Sequence, residues 1–136
     1  MIQPDLADPL TGQFWQSARE GKLQVSWCGT CDQAVWYPRA CCNICGGTLY
    51  WQTLSGQGTL IAWSEVTGSL NPDFNGPYLT GLVSPREAPY IRLVTQLVDC
   101  RARDLCCDMA VAVRFRELQP RRGAAFVAPV FTPDIR

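Results

Sequence analysis

Two Cys-x-x-Cys steps, Cys28-x2-Cys31 and Cys42-x2-Cys45, separated by ten residues, constrain this chain more than any other feature. Each step places two sulfurs on one tight knuckle. Two knuckles make a tetrahedral four-thiolate site with metal–sulfur bonds of about 2.3 Å. Gly29 in the first knuckle and Gly46-Gly47 after the second supply the permissive backbone that such turns need. The gap is shorter than the roughly 15–20 residues of many zinc modules, yet long enough for a hairpin between strands. Cys41 competes for the third place, but only Cys42 has x2 spacing to Cys45. The expectation is one structural zinc held by Cys28, Cys31, Cys42 and Cys45. A closed site leaves no position for water, so it is not catalytic zinc. Iron in the same cage would give an electron carrier, and four free thiols are the plainest alternative.

Composition narrows the chemistry. The 136 residues contain no histidine, which removes the commonest general base and the commonest nitrogen ligand. Any catalysis would fall to Cys, Asp, Glu, Tyr or metal-bound water, and no credible catalytic set emerges. Basic and acidic residues balance at 12 each, so no long-range field steers the chain to nucleic acid or an acidic membrane. Lys22 is the only lysine. The second half is mildly basic, with nine bases against seven acids in residues 69–136. No apolar run approaches the roughly 20 residues of a membrane span. The start (Met1, Ile2, Gln3, Pro4, Asp5) does not read as a signal peptide. Eight cysteines in that setting predict a reducing cytoplasm and metal ligation rather than disulfides. Cys100, Cys106 and Cys107 read as buried small hydrophobes.

Along the chain, Thr11 can cap a short helix over 12–20 that Gly21 stops, with Phe14, Trp15 and Ala18 on one face. That face either packs on its own domain or is presented to a partner. Strands are expected over 22–27 and 49–54, bracketing the cysteine segment. After the turn Ser55-Gly56-Gln57-Gly58, strands are expected over 59–67, 78–84, 91–100, 111–118 and 124–131. A loop over 68–76 contains Asn71-Pro72-Asp73. Val111, Val113 and Phe115 alternate with Ala112, Arg114 and Arg116. Five strands at turn-punctuated intervals predict a small antiparallel barrel. The expected units are a helical extension over 1–21, a zinc ribbon over 22–54 and a barrel over 55–136.

The order of these parts resembles a known family. The quoted features are the Phe14-Trp15 helix with Arg19-Glu20-Gly21-Lys22-Leu23, the two knuckles around Tyr37-Pro38-Arg39, Gly56-Gln57-Gly58-Thr59-Leu60, Pro77-Tyr78 and 111–118. Together they look like the acyl-CoA-associated family built of a rubredoxin-like zinc ribbon followed by an OB-fold domain. The resemblance covers nearly the whole chain and implies a mainly β protein with an N-terminal helix, a ribbon and a five-stranded barrel. Members usually carry glycine where this chain has Asp108-Met109, and aspartate tolerates the left-handed turn better than most residues.

The same resemblance implies a non-catalytic partner of thiolase-fold enzymes (thiolases, acyltransferases or steroid side-chain aldolases) or of enoyl-CoA hydratase subunits. Such a chain would help form or steady the partner's acyl-CoA site. On that reading Arg39, Arg86, Arg92, Arg114 and Arg116 are candidate contacts for the phosphates of a shared coenzyme A thioester. Trp36, Tyr37 and Tyr78 are candidates to stack on its adenine. The alternative is a single-stranded nucleic-acid binder, in which Arg101, Arg103, Arg121 and Arg122 would form the patch. Neutral charge and the dearth of lysine count against it.

Overall fold

A computed structural model describes residues 3–68 and 70–134. Helix α1 spans Gly12–Arg19. Its start is held by a residue other than the one expected. Thr11 occupies the cap position in near-helical backbone and makes no side-chain cap bond. The Asp8 carboxylate instead accepts from the Leu10 and Thr11 N–H groups, each at 2.8 Å. Those bonds, Thr11's first, hold the Asp8 pKa below its ordinary value. Gly21 does stop the helix. At φ +75 it donates to Ala18 O while Lys22 donates to Ser17 O, a Schellman closure that requires left-handed backbone.

Three short strands form the ribbon: β1 (Gln24–Cys28), β2 (Gln33–Ala34) and β3 (Leu49–Thr53), ordered β2-β1-β3. The expected hairpin within the ten-residue gap is not what forms. The chain turns over the first knuckle, and β2 pairs straight back on β1, Trp27 with Ala34 and Cys28 with Gln33. The rest of the gap wraps around the sulfurs.

The barrel has five strands, β4 (Gln57–Val66), β5 (Tyr78–Pro85), β6 (Leu93–Leu97), β7 (Ala110–Leu118) and β8 (Phe126–Pro133). They close in the order β4-β5-β6-β8-β7, an OB-type Greek-key barrel. Only β6 and β8 run parallel, meeting at Leu97 and Phe131. Closure depends on β4, whose register shifts between Leu60 and Ala62. Gly58 and Thr59 pair on both sides, with Pro85 and Ser84 of β5 and with Val111 and Ala110 of β7. A Cβ on Gly58 would sit 2.8 Å from both Ser84 O and Val83 Cγ1, so that double pairing excludes a side chain there.

Leu60, Val83, Val111 and Phe131 fill the barrel, and Leu23, Val25 and Ala34 of the ribbon join the same cluster. Ribbon and barrel therefore share one apolar core. Helix α1 seals the joint: the Phe14 ring lies 5.2 Å from Trp36 of the ribbon, and Trp15 lies 5.8 Å from Phe126 of the barrel. These rings pack on their own molecule, the first of the two readings of that face, and both stay partly exposed. Asp108 adopts φ +67, so the turn tolerates aspartate in place of glycine.

Two further expectations change. The third barrel strand is confined to Leu93–Leu97, and Cys100 lies half-buried beyond it. Cys106 and Cys107 are exposed, because Leu105 takes the buried place as the chain turns towards β7.

Gly56 gives the fold's sharpest steric test. It has φ +86, and a Cβ there would lie 2.3 Å from Val113 Cγ1. Gly56→Ala is expected to cost about 2–4 kcal/mol by combining left-handed strain with overpacking. A thermal melt with an unchanged midpoint would contradict this account of barrel closure.

Candidate metal centre

Strand β1 ends on Cys28, which delivers that sulfur, fully buried, to the inner side of the ribbon. The first knuckle brings Cys31 back beside it, with the Cys31 N–H donating to Cys28 Sγ at 3.4 Å. In the second knuckle the Ile44 N–H donates to Cys42 Sγ at 3.4 Å and the Gly47 N–H donates to Cys45 Sγ at 3.3 Å. Backbone bonds Cys42 N–H to Gly47 O and Gly46 N–H to Cys42 O, both 2.9 Å, lock the turn. Gly46 takes φ +71 to make it. Three knuckle N–H groups, those of Cys31, Ile44 and Gly47, thus face a sulfur, the arrangement that stabilises thiolates.

The four sulfurs lie within 4.8 Å of one another. Cys28 and Cys45 are 3.6 Å apart, and Cys42 and Cys31 are 4.0 Å apart. A regular tetrahedron of sulfurs around a zinc-sized ion has edges of about 3.8 Å, given bonds of about 2.3 Å. The cage therefore fits such an ion, and the separations are far beyond the roughly 2.05 Å of a disulfide. Cys42 is buried within the cage, whereas Cys41 is exposed and outside it.

Electrostatics agree with a cation site. N–H bonds from Cys45 and Ile44 pull the Cys42 thiol down to about 6. The neighbouring Cys45 sulfur, more than burial, pushes Cys31 up to about 12. Without a counter-charge, Cys42 is pulled towards the thiolate while Cys31 and Cys45 are pushed the other way. Ligation needs thiolates, so metal uptake releases protons and affinity falls as pH falls. Cys28 and Cys42 are buried while Cys31 is half-buried and Cys45 exposed, so the cage lies at the surface of the ribbon with four sulfur ligands and no other donor type.

The five candidate arginines do not converge. All are exposed. Arg92 and Arg114 donate to nearby backbone carbonyls, Arg116 pairs with Asp99, and Arg86 donates to Gln57. Arg39 has no partner among the described residues and lines a groove on the ribbon edge with Trp36 and Tyr37. Tyr78 lies elsewhere, in an aromatic-lined groove of about 580 Å³ on the barrel with Trp15, Phe74 and Phe126.

Sequence reasoning missed the clasp that frames this second groove. Arg122 grips Asp73 through two bonds of 2.9 and 3.2 Å, and the Arg121 N–H donates to Asp73 O at 2.9 Å. Arg122 keeps the Asp73 carboxyl below its usual range. The clasp joins loops 67–77 and 119–125. Its members are 49 residues apart, and no local pattern announces such a pair.

In metal-loaded protein, Cys42→Ser is expected to empty the site and Cys41→Ser to leave one ion per chain. Elemental analysis decides this, and loss of metal from the Cys41 variant would move the ligand assignment. Loading releases thiol protons and metal loss takes them up again, so metal retention, read by elemental analysis after dialysis, is expected to decline as pH is lowered towards 5.

Comparison with known proteins places the architecture. The family model of the ChsH2 C-terminal OB-fold domain matches residues 51–116. A probable enoyl-CoA hydratase alpha subunit from Thermomonospora curvata is 30% identical over 137 residues, covering 98% of this chain and 41% of the relative. The chain thus spans about two fifths of that relative's length. A chain of a solved Ltp2-ChsH2(DUF35) aldolase matches with a TM-score of 0.84 at 25% identity, over 98% of this chain and 100% of that one. A DUF35-family protein of unknown function from Sulfolobus solfataricus shares the fold, with a TM-score of 0.58 at 12% identity over 78% of each chain. Residues 51–116 are thus similar to the ChsH2 C-terminal OB-fold domain, and with the four-cysteine ribbon ahead of them the chain has the two-part order, ribbon then OB-fold barrel, that the sequence resemblance implies.

Proposed function

We propose that this chain is a non-catalytic accessory subunit of an acyl-CoA enzyme, either thiolase-fold or an enoyl-CoA hydratase, and that its ribbon carries one structural zinc. The observation that carries the reading is the end-to-end likeness to the chain of the Ltp2-ChsH2(DUF35) aldolase. The hydratase-subunit relative points to the same class of substrate. The chemistry of the chain supports it. With no histidine and a cage in which all four ligands are sulfurs, the chain offers no poised general base and no open metal position. The five arginines cover separate elements and build no phosphate cradle. The acyl-CoA site is therefore assigned to the partner, whose loops this chain would hold in place. An interface able to do so buries well over about 1,000 Å².

The groove on the barrel face is where OB-folds bind oligonucleotides. Here Asp73 and Glu117 line it against the single cation Arg121, so it lacks the basic character single strands require.

The test is to purify the chain alone and together with the acyl-CoA enzyme encoded beside it, then assay thioester conversion. No turnover by the chain alone and a marked gain by the pair are expected. Turnover by the isolated chain overturns the reading, as does an enzyme fully active without it. Salt-sensitive binding of single-stranded DNA would favour the nucleic-acid alternative.

A further inference from the structure

Few large hydrophobic side chains are strongly exposed, and three of them gather in one place. Ile44 (66% exposed), Tyr37 (64%) and Tyr90 (52%) line a single groove of about 460 Å³ on the ribbon edge. Two of these three come from the segment bracketed by the cysteine ligands, Ile44 from inside the second knuckle itself. The third comes from the turn between β5 and β6. Tyr90 accepts a 2.7 Å bond from the Ala34 N–H, which ties that turn to β2. Trp36 forms the floor, held from behind by Phe14 and in contact with Tyr37 at 5.5 Å. Exposed apolar side chains on a rigid frame are what a solvated knuckle does not need and an interface does.

Charge identifies the occupant. Arg39 is the groove's only charged residue and has no carboxylate partner among the described residues. Tyrosine, tryptophan and one unpaired arginine around an apolar centre are the composition of a protein-docking hot spot. One cation is too few for nucleic acid, which needs several phosphate contacts. A second copy docked two-fold would set Arg39 near its own equivalent, a like-charge pairing that association avoids.

We propose that this ribbon-edge groove is the docking site for the partner enzyme, receiving an apolar side chain flanked by an aspartate or glutamate. The metal cage then serves binding as well as folding, because it sets the segment that forms most of the groove. The proposal rests on the accessory reading above.

The experiment measures the Kd between the metal-loaded chain and the acyl-CoA enzyme encoded beside it. Ile44→Asp and Arg39→Glu are each expected to weaken binding by roughly tenfold or more. Val94→Asp, at a position 80% exposed on the barrel, serves as the control and should stay within about twofold. Both altered groove side chains are solvent-exposed, and metal content with melting temperature checks that the fold is intact. Should Ile44→Asp shed its metal, Arg39→Glu and Tyr37→Ser carry the test. If wild type binds and the groove variants bind equally well, the docking site is wrong while the accessory reading stands. Weakening by Val94→Asp alone moves the site to the barrel face and overturns the proposal. If the groove variants abolish only self-association, the occupant is a second copy and the proposal fails. If wild type does not bind the enzyme, the accessory reading fails and the proposal with it.

Discussion

The convergence of four sulfurs is the constraint on which the ribbon depends. Its strands have five, two and five residues, too little sheet to be stable alone. The buried cluster around the cage is small, consisting of Cys28, Val35 and Cys42 with Cys31 and Leu49 against it. Ionising four sulfurs side by side is costly without a counter-charge, and Cys31, pushed up to about 12 by the Cys45 sulfur and by burial, carries part of that cost. A divalent cation would turn that repulsion into attraction, and the N–H groups of Cys31, Ile44 and Gly47 already donate to the sulfurs that would hold it. Small domains of this kind draw from a metal the stability that a core of their size cannot supply.

The cage alone does not decide where the ribbon sits. Leu23, Val25 and Ala34 pack in the same cluster as Leu60, Val83 and Phe131, so the apolar core runs from the ribbon into the barrel. Helix α1 adds a second connection, with Phe14 reaching the ribbon and Trp15 the barrel. The knuckles are thereby carried on a fixed base. Apolar burial sets the large-scale placement and the sulfurs set the local shape of the 28–47 segment. The two act on different lengths of chain and need not fail together.

What was legible in the sequence was local. Cysteine spacing named the four clustered residues because a knuckle is a matter of a few adjacent backbone angles. Strand periodicity located all five barrel strands, with ends moved by at most three residues where ladder pairing, not propensity, decides. Asp108 could be read as a left-handed turn because the cost of that conformation is set by one residue's own side chain. What was not legible depended on distant contacts. Thr11 is the cap that local spacing offers, and only the path of the preceding chain puts the Asp8 carboxylate in its place. Burial of Cys106 and Cys107 depended on whether Leu105 reached the core first. The Asp73–Arg122 clasp and the meeting of Tyr90 with Ala34 join segments 49 and 56 residues apart, and neither leaves a periodic trace.

The acidic residues bear on what chemistry this chain's own side chains can do. A carboxylate becomes a useful general base when it is held near a substrate with a raised pKa. Here most are spent on structure. Asp8 holds the start of α1, Asp32 accepts from the Trp27 indole, and Glu87 accepts from Ser55. Asp99 pairs with Arg116, and Asp104 accepts from the Arg101 N–H. The two with resolved shifts, Asp8 and Asp73, are both lowered, the direction that weakens a base. A chain whose ionisable groups brace loops and whose thiols form a closed cage is organised for rigidity. In an acyl-CoA complex, rigidity at a partner's surface has chemical value, because the barrier depends steeply on how well reacting groups are held.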